Sequence, residues 1–407
     1  MDGLADLAQQ RLFQLHKLII VGDGCSNVSP ARLLAFDTLR KVGRGGYASD
    51  LLASGSAPLD ARDAGLASEI VFGVLRYQGQ LDFLIERYSG RGMRKLDFEV
   101  VLALRMGVYQ LRYLDRVPAH AAVSQSVELV KTTGFHSAAG FVNAVLRKVG
   151  REAVAWPDRA VELSHPEWLL ARWDREFGAE VTPLLARANL RPPETYIRVP
   201  ADAVVPAAIA ATEIPGCYRL LAGEAAGFRI QDIGSQSVVP LLDLAAGQRF
   251  LDLCAAPGNK TAQALESGVR AVACDFHAKR VQMLKTLGVD VVHLDGTQPL
   301  PFRARFDRIL LDAPCSGTGT LSRNPEIKWR LQPADIQELH HRQVVLLRNA
   351  LQGLAPGGVL VYSTCSLERE ENDGVIEALG LRPAQIMRRI PGLQAGDGFF
   401  AAVIRSS

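Results

Sequence analysis

From Arg249 onward the sequence repeats a short apolar run, a turn of small or acidic residues and, in most repeats, a helix-like segment. The runs are RFLDLC, RAVACD, VDVVHLD, FDRILLD and GGVLVYST. This alternation predicts a doubly wound, mostly parallel sheet, because parallel strands need a crossover connection and helices cover both faces. Ligands of such sheets bind at the carboxyl ends of the strands. We therefore expect the chemistry of this region at the residues that end each run.

The sequence between residues 31 and 149 lacks such runs. Its apolar residues recur at helical spacing, as at Leu33, Phe36 and Leu39, which predicts an all-α bundle. The net charge of the whole chain is only +3, yet this stretch holds more Lys and Arg than Asp and Glu. A basic domain suits a polyanion such as nucleic acid, and a solvated helical surface accounts for the charge equally well.

The sequence predicts a multidomain chain of four segments. These are an N-terminal extension over 1–29, an all-α domain over 30–152, a small α+β connector over 153–230 and a Rossmann-like α/β domain over 231–407. In the connector we expect a helix after Pro166, a strand in PPETYIRVP and a hairpin in CYRLLAGEAAGFRIQDIGSQS. Antiparallel strands near the C-terminus, ending in GFFAAVIRSS, are expected to close the sheet.

The sequence contains no run of 18 apolar residues, so we expect no membrane span, and its start lacks a basic–apolar–small leader pattern. The cysteine usage favours a reducing cytoplasm, and we expect a monomer. Its six cysteines lack close pairing and repeated C-x-x-C spacing, which argues against a disulfide framework and a zinc site. We interpret Cys25, Cys217 and Cys274 as core residues. No metal is predicted, and the paired histidines at 340 and 341 are interpreted as surface residues.

The first strand exit, DLCAAPGNKT, predicts a cofactor turn. It lacks the G-x-G-x-x-G pattern of a dinucleotide site, so a nicotinamide oxidoreductase is disfavoured and a smaller adenosine ligand fits better. Acidic residues end successive runs at Asp252, Asp275, Asp295 and Asp312. Each alone is equally well explained as a helix cap or turn aspartate. Together they predict a rim that binds S-adenosylmethionine. The proposed cofactor-binding residues are Cys254, Ala255, Ala256, Pro257, Gly258, Asn259, Lys260, Asp275, Asp295 and Asp312.

Two further exits carry cysteines in turns of Pro, Thr, Ser and Gly: Cys315 in LLDAPCSGTG and Cys365 in YSTCSLEREEN. Exits of neighbouring parallel strands lie at one edge, so both sulfur atoms are expected over one pocket. SLEREEN is interpreted as a helix start, whose positive end would favour a Cys365 thiolate.

These motifs, with NPEIKW, FRIQDIGSQ and GDGFF, resemble the RNA 5-methylcytosine methyltransferases, and closely the bacterial group that acts on 16S ribosomal RNA. The stretch ending FVNAVLRKV is similar to the RNA-binding domain of the antitermination factor NusB, which that group carries at its N-terminus. The resemblance covers about residue 31 to the C-terminus. One departure is Gly258-Asn259-Lys260, where the family usually has Gly-Gly-Lys; Asn tolerates a positive φ, so we expect the turn to survive.

The resemblance implies that Cys365 attacks C6 of cytosine and forms a covalent adduct with the base. It also implies that Cys315 assists the later release of Cys365 from that adduct. Asp312 is expected to hydrogen-bond the base edge and to touch the cofactor. DNA cytosine methyltransferases use the Pro-Cys cysteine instead and normally lack the second one, so the Thr-Cys turn favours RNA. The implied substrate is 16S ribosomal RNA, before or early in small-subunit assembly.

Candidate RNA contacts follow the Cys315 turn and lie in the first helix. They are Lys260, Arg323, Lys328 and Arg330, with Trp329 as a stacking residue, and a second basic patch of Arg32, Arg40, Lys41 and Arg44. Trp329 is equally well explained as a core residue. Lys260 is expected to point into the site, and the alternative is a solvated lysine at a helix start. The alternative functions are a transfer RNA cytosine methyltransferase and a non-catalytic RNA-binding or antitermination module.

Overall fold

The computed structural model describes residues 27–204, 207–225 and 227–406. The chain divides into two compact units between Ala155 and Trp156. The predicted N-terminal extension is described only from Asn27 onward, and Cys25 lies outside the described residues. No described helix is long and apolar enough to cross a membrane. The predicted boundaries at 152 and 230 stay predictions.

The described part of the first unit contains helices and no strand, which confirms the predicted all-α bundle. Its central helix is buried nearly all round, because Val100–Leu104 and Met106–Leu111 are almost entirely shielded from solvent; such a helix forms the core of a bundle. The helices are α1 Pro30–Val42, α2 Ala48–Gly55, α3 Ala61–Arg76, α4 Gln78–Ser89, α5 Phe98–Tyr113, α6 Ala119–Thr132 and α7 Ala139–Leu146.

The second unit begins with three helices, α8 Arg159–Glu162, α9 Glu167–Phe177 and α10 Val181–Asn189. The helix expected after Pro166 is therefore present. A small antiparallel sheet of order β2-β3-β1-β4 follows, with β1 Tyr196–Arg198, β2 Ile209–Ala211, β3 Cys217–Leu220 and β4 Arg229–Ile230. The expected hairpin is wrong, because β3 and β4 both pair with β1 and lie on its two sides. Because β1 pairs on both sides it is an inner strand of this sheet, and its Ile197 is fully buried.

The predicted parallel sheet is present, and the Rossmann-like fold is confirmed. Its order is β10-β11-β9-β8-β5-β6-β7. Strands β5 Arg249–Asp252, β6 Arg270–Asp275, β7 Asp290–His293, β8 Phe306–Asp312 and β9 Leu354–Thr364 run parallel. The expected closing strands, β10 Gln385–Arg389 and β11 Phe399–Arg405, are antiparallel.

Both faces of this sheet are covered, which explains the continuous apolar runs of its strands. Leu251, Leu311 and Leu360 pack on one face, whereas Phe250, Leu310 and Val361 pack on the other. Cys217 and Cys274 are buried, as predicted. The remaining helices are α11 Ile233–Gln236, α12 Asn259–Leu265, α13 Ala278–Leu284, α14 Ile327–Arg330, α15 Pro333–Gln352 and α16 Asp373–Ala378.

A glycine allows the close approach of α3 to α5 in the first unit. A Cβ atom on Gly73 would lie 1.8 Å from Cζ of the Tyr109 ring. That ring cannot easily move, because its hydroxyl donates to Glu69 at 2.6 Å and it stacks on Tyr113 at 5.4 Å between centroids. A Cβ atom on Gly65 in the same helix would have no other atom within 4 Å.

We expect Gly73→Ala to lower the free energy of unfolding by about 1–3 kcal/mol through overpacking. Gly65→Ala should instead raise it by about 0.5–1 kcal/mol, because alanine is the better helix former. Urea unfolding of the two full-length variants, followed by circular dichroism, measures both changes. Equal effects of the two substitutions would contradict the assigned packing of α3 on α5.

Candidate active site

The two cysteine turns meet above the carboxyl ends of β8 and β9. These strands pair in parallel, with Asp312 opposite Ser363, so their exits are neighbours at one edge of the sheet. The turns that follow bring Cys315 Sγ to 3.4 Å from Cys365 Sγ. Both side chains are partly exposed. The structure therefore places the two sulfur atoms together, as the sequence predicts.

Backbone hydrogen bonds fix the loop that carries Cys315 against the one that carries Cys365. Gly319 N donates to Cys365 O at 2.9 Å, and Gly398 N donates to Gly319 O at 2.7 Å. The Thr318 hydroxyl accepts from Leu367 N at 2.9 Å. Gly319 has no room for a side chain, since a Cβ there would lie 2.4 Å from Gly398 O. The GDGFF motif, which contains Gly398, therefore packs against the Cys315 loop and supports it.

The helix expected directly after Cys365 is wrong. The chain runs irregularly there, then forms one 3₁₀ turn over Arg369–Glu371, and α16 begins only at Asp373. Side chains compete with the helix for backbone groups. The Thr364 hydroxyl accepts from Ser366 N at 3.2 Å, and Asn372 Nδ2 donates to Ser366 O at 3.0 Å. The helix that follows Cys365 therefore does not place its N-terminus directly after this residue.

Lys260 supplies the positive charge that the helix end does not. Its ammonium lies 2.6 Å from Asp312 Oδ2, and the other oxygen of Asp312 accepts from the Ser363 hydroxyl at 2.8 Å. Burial acts to lower the pKa of Lys260, but attraction to Asp312 and to Cys365 outweighs it and raises that pKa. Lys260 is therefore a charged, buried residue of the site rather than a solvated one.

Cys315 is held as a thiol. Its hydrogen bond with Cys365, its burial and the negative charge of Glu371 all raise its pKa well above the ordinary value. Cys254 is likewise kept protonated, because burial and the nearby aspartates raise its pKa. These raised pKa values disfavour the thiolate, which is the form of cysteine that attacks.

The cofactor turn lines a cavity next to the cysteines. The lining residues are Ser235, Asp252, Cys254, Ala255, Ala256, Pro257, Asn259, Lys260 and Asp312. The turn needs a glycine at Gly258, whose φ is +102°. Asn259 is already the first residue of α12, so the departure from Gly-Gly-Lys does not fall on the residue with the positive φ. Asp275 and Asp295 are absent from this lining.

The rim aspartates have different partners. Asp275 accepts from Ala256 N at 3.2 Å and from His277 N at 2.9 Å, so it shapes the cofactor turn. Asp295 accepts from the backbone and the hydroxyl of Thr297, which is the turn-aspartate arrangement that the sequence left open. Their cofactor contacts stay predictions.

Asp252 shows that a polar ligand fits the cavity. Its side chain is almost entirely buried, and Oδ2 accepts from the Thr261 hydroxyl at 2.6 Å. Among the described residues no donor reaches Oδ1. Burial, only partly offset by Thr261, raises the pKa of this carboxyl to about 7. A buried acceptor without a donor is costly, and the ammonium of S-adenosylmethionine is a group that would satisfy it.

The predicted RNA-contact residues lie in different environments. Arg323 is held by Asp397 at 2.7 Å and by Asp232 at 2.8 Å, so it joins the FRIQDIGSQ and GDGFF segments. Lys328 is only 1% exposed, which does not favour a phosphate contact. Arg330 and Trp329 are partly exposed. RNA contact by these residues stays a prediction.

Burial and ion pairs leave the predicted basic patch of the first helix with less free positive charge than the sequence suggests. Arg32 is largely buried and donates to Gln110 at 2.7 Å. Arg40 and Lys41 both pair with Asp37. Such exposed pairs are weak, so Arg40 and Lys41 can still exchange this partner for a phosphate.

Two residues of the site were missed from the sequence. Ser235 lines the cavity, and the FRIQDIGSQ motif contains the signal for it. Glu371 is fully buried and accepts from both Ser316 and Ser366. Its segment, SLEREEN, is so rich in charge that it looks like a solvated surface.

Family comparisons agree with both units. The model described as "16S rRNA methyltransferase RsmB/F" matches residues 239–405, and the NusB family model matches residues 29–151. A ribosomal RNA small subunit methyltransferase B of Klebsiella pneumoniae is 34% identical over 92% of this chain and 98% of its own. The chain belongs to the RsmB/F family of methyltransferases. A second relative of the same name, from Sodalis glossinidius, is 35% identical over 85% of this chain and 90% of its own.

Two solved structures share the fold of this chain. The crystal structure of PH0851 has a TM-score of 0.78 at 22% identity and covers 94% of this chain and 99% of its own; it shows the fold alone. A methyltransferase homolog protein from Pyrococcus horikoshii has a TM-score of 0.52 at 26% identity, covering 62% of this chain and all of its own. The family and its fold are those that the sequence motifs indicate.

We expect Asp252→Asn to change how stability depends on pH. A carboxyl whose folded pKa is about 7 stabilises the fold below its ordinary pKa, and loses that contribution as pH rises through about 7. Asparagine does not titrate. The variant's free energy of unfolding should therefore gain at least about 1 kcal/mol on the wild type between about pH 5 and pH 8. Chemical unfolding at several pH values tests this, and parallel curves for the two proteins would contradict it.

Proposed function

We propose that this chain transfers the methyl group of S-adenosylmethionine to C5 of a cytosine in 16S ribosomal RNA. The observation that carries the proposal is the 3.4 Å approach of Cys315 Sγ and Cys365 Sγ beside the Lys260–Asp312 pair. The names of the family relatives support the ribosomal RNA substrate.

The sulfur pair suits the chemistry of this base, because C5 of cytosine is a poor nucleophile. The Cys365 thiolate adds to C6, so that a C6–Sγ bond forms and the electron pair of the C5–C6 double bond makes C5 nucleophilic. C5 then takes the methyl group, and a carbon–sulfur bond of the donor breaks. Water takes the C5 proton, the electron pair of the C5–H bond restores the C5–C6 double bond, and the C6–Sγ bond breaks as the thiolate leaves. One hard step becomes two easier ones.

The two cysteines are assigned different roles. Cys365 is the nucleophile, and the ammonium of Lys260, whose pKa is raised in part by attraction to Cys365, is the cation of this site. The surroundings of Cys315 raise its pKa, and its sulfur lies 3.4 Å from the sulfur that must leave. Cys315 therefore assists release, and Asp312, held by Lys260 and Ser363, presents its carboxylate to the polar edge of the base.

The cofactor cavity suits the methyl donor. S-adenosylmethionine, when bound there, supplies an electrophilic methyl group. Asp252 Oδ1 would accept from its ammonium, the turn from Cys254 to Lys260 would surround it, and Asp275 would accept from its ribose, as acidic residues do at the second strand of such sheets. Asp295 stays a proposed contact at the rim.

Two alternative functions differ from this proposal, one in the RNA that is methylated and the other in the absence of catalysis. A transfer RNA cytosine methyltransferase would share the same catalytic unit, and the NusB-family segment over residues 29–151 favours the ribosomal target, bound before or early in subunit assembly by a monomeric enzyme. A non-catalytic RNA-binding module would not need two cysteines in contact. Bisulfite sequencing of ribosomal and transfer RNA treated with the purified protein decides between the three.

We expect Cys365→Ala to abolish methyl transfer to ribosomal RNA without weakening binding of S-adenosylhomocysteine, because the sulfur attacks the base and does not line the cofactor cavity. Tritium transfer and calorimetry measure the two properties. The matched control is Cys217→Ala, which removes a buried cysteine of the small sheet and should retain turnover. Retained turnover in Cys365→Ala would exclude Cys365 as the nucleophile.

We expect Cys315→Ala to accumulate a covalent protein–RNA complex, because the adduct forms at Cys365 and its breakdown is slowed. A denaturing gel of protein incubated with labelled RNA and S-adenosylmethionine should show a retarded band. The double variant Cys315→Ala/Cys365→Ala should show none. Without a retarded band in the single variant, Cys315 has no role in release.

A further inference from the structure

Glu371 is a buried carboxylate that contacts both cysteine turns. It is 0% exposed. Its Oε1 accepts from the backbone N–H of Ser316 at 2.8 Å and from Gln343 Nε2 at 3.0 Å. Its Oε2 accepts from the hydroxyls of Ser316 and Ser366, each at 2.5 Å. Since Ser316 follows Cys315 and Ser366 follows Cys365, one carboxylate fixes the neighbour of each cysteine.

All four of these donors are neutral, so the carboxylate is held by hydrogen bonds. Burying a charge is expensive, and a well-packed apolar residue often stabilises a core better than a buried charge does. Hydrogen bonds to a charged group are directional and stronger than neutral ones. A carboxylate in this place therefore fixes geometry more tightly than an apolar side chain would.

The backbone of Glu371 is itself anchored to the sheet. The Tyr362 hydroxyl of β9 donates to Glu371 O at 2.6 Å. The next residue, Asn372, accepts from the Thr364 hydroxyl at 2.6 Å and donates to Ser366 O at 3.0 Å. Thr364 and Ser366 flank Cys365, so the Glu371–Asn372 dipeptide holds that residue from both sides. The support extends from the rigid strand to the reactive atoms.

We propose that Glu371 is a positioning residue, which sets the separation and direction of the Cys315 and Cys365 sulfur atoms. The catalytic part of this proposal rests on the proposed function, whereas the geometric part does not. Two sulfur atoms must act on adjacent carbons of one base, and a misplacement of an ångström can cost about 100-fold in rate.

The charge of Glu371 has a second effect. It contributes to the raised pKa of Cys315, after the hydrogen bond to Cys365, burial and the charge interaction with Cys365. The same carboxylate that brings the two sulfur atoms together thus favours the thiol form of Cys315. A neutral residue of the same shape would keep most of the positioning and lose this difference.

Variants of the full-length protein separate these effects. Glu371→Ala removes all four acceptor contacts, and Glu371→Gln keeps the shape without the charge. The double variant Ser316→Ala/Ser366→Ala removes the two hydroxyl donors and leaves the carboxylate; it serves if Glu371→Ala does not fold. Glu377→Gln is the matched control, because Glu377 is an exposed carboxylate of the following helix that pairs with Arg369.

The first measurement does not need catalysis. Diamide takes up two electrons and two protons from a pair of thiols and leaves a disulfide, and peptide mass spectrometry follows the Cys315–Cys365 link. Its rate of formation should fall about tenfold or more in Glu371→Ala and in the double serine variant, given the strength of hydrogen bonds to a charged group. Glu377→Gln should match the wild type. An unchanged rate in a folded Glu371→Ala protein would overturn the proposal.

The second measurement is kinetic. In folded Glu371→Ala, kcat should fall about 100-fold while the dissociation constant of S-adenosylhomocysteine stays near that of the wild type. Glu371→Gln should recover most of kcat and shift the alkaline limb of its pH profile downward, because Cys315 then ionises at lower pH. Unchanged kcat in Glu371→Ala would overturn the catalytic part. A wild-type protein that methylates no RNA would refute the proposed function instead, and the diamide rates would still decide the positioning.

Discussion

The parallel pairing of β8 with β9 is the interaction on which the site depends. It places Asp312 opposite Ser363, so two chain segments that are 50 residues apart leave the sheet side by side. Every later contact between the two loops needs this register. A shift of the pairing by one residue would turn the side chains to opposite faces of the sheet and separate the sulfur atoms.

The site combines few charges with strong burial. Lys260 pairs with Asp312, and within the described part of the chain no donor reaches one oxygen of the buried Asp252. Buried charges of this kind cost stability. The large apolar core on both faces of the sheet offsets that cost, and the rigid strands keep the charged groups where a ligand can use them.

The sequence predicts best what depends on chain periodicity. The strand exits, the cofactor turn and the meeting of Cys315 with Cys365 follow from short apolar runs that end in small or acidic residues. The errors lie where contacts with other parts of the chain override the local pattern. The expected helix after Cys365 is displaced because Thr364 and Asn372 bind the backbone, and the expected hairpin is absent because β1 pairs on both edges.

Burial of polar residues is the other property that a single sequence conceals. Lys328 and Glu371 both lie in charged segments that resemble solvated surface, and both are buried. Nothing in the spacing of SLEREEN distinguishes Glu371 from Glu370, which is partly exposed and pairs with Arg172. Only the fold shows which of the two faces the loops.

The position of β11 has a consequence for biosynthesis. This strand inserts between β9 and β10, Gly398 before it binds the Cys315 loop, and the ring of Phe399 lies 5.1 Å from the Lys260 ammonium. A nascent polypeptide emerges from the ribosome N-terminal end first. The loops that carry Cys315 and Cys365 are therefore made before the segment that braces them, and the pocket is complete only once β11 has inserted into the sheet.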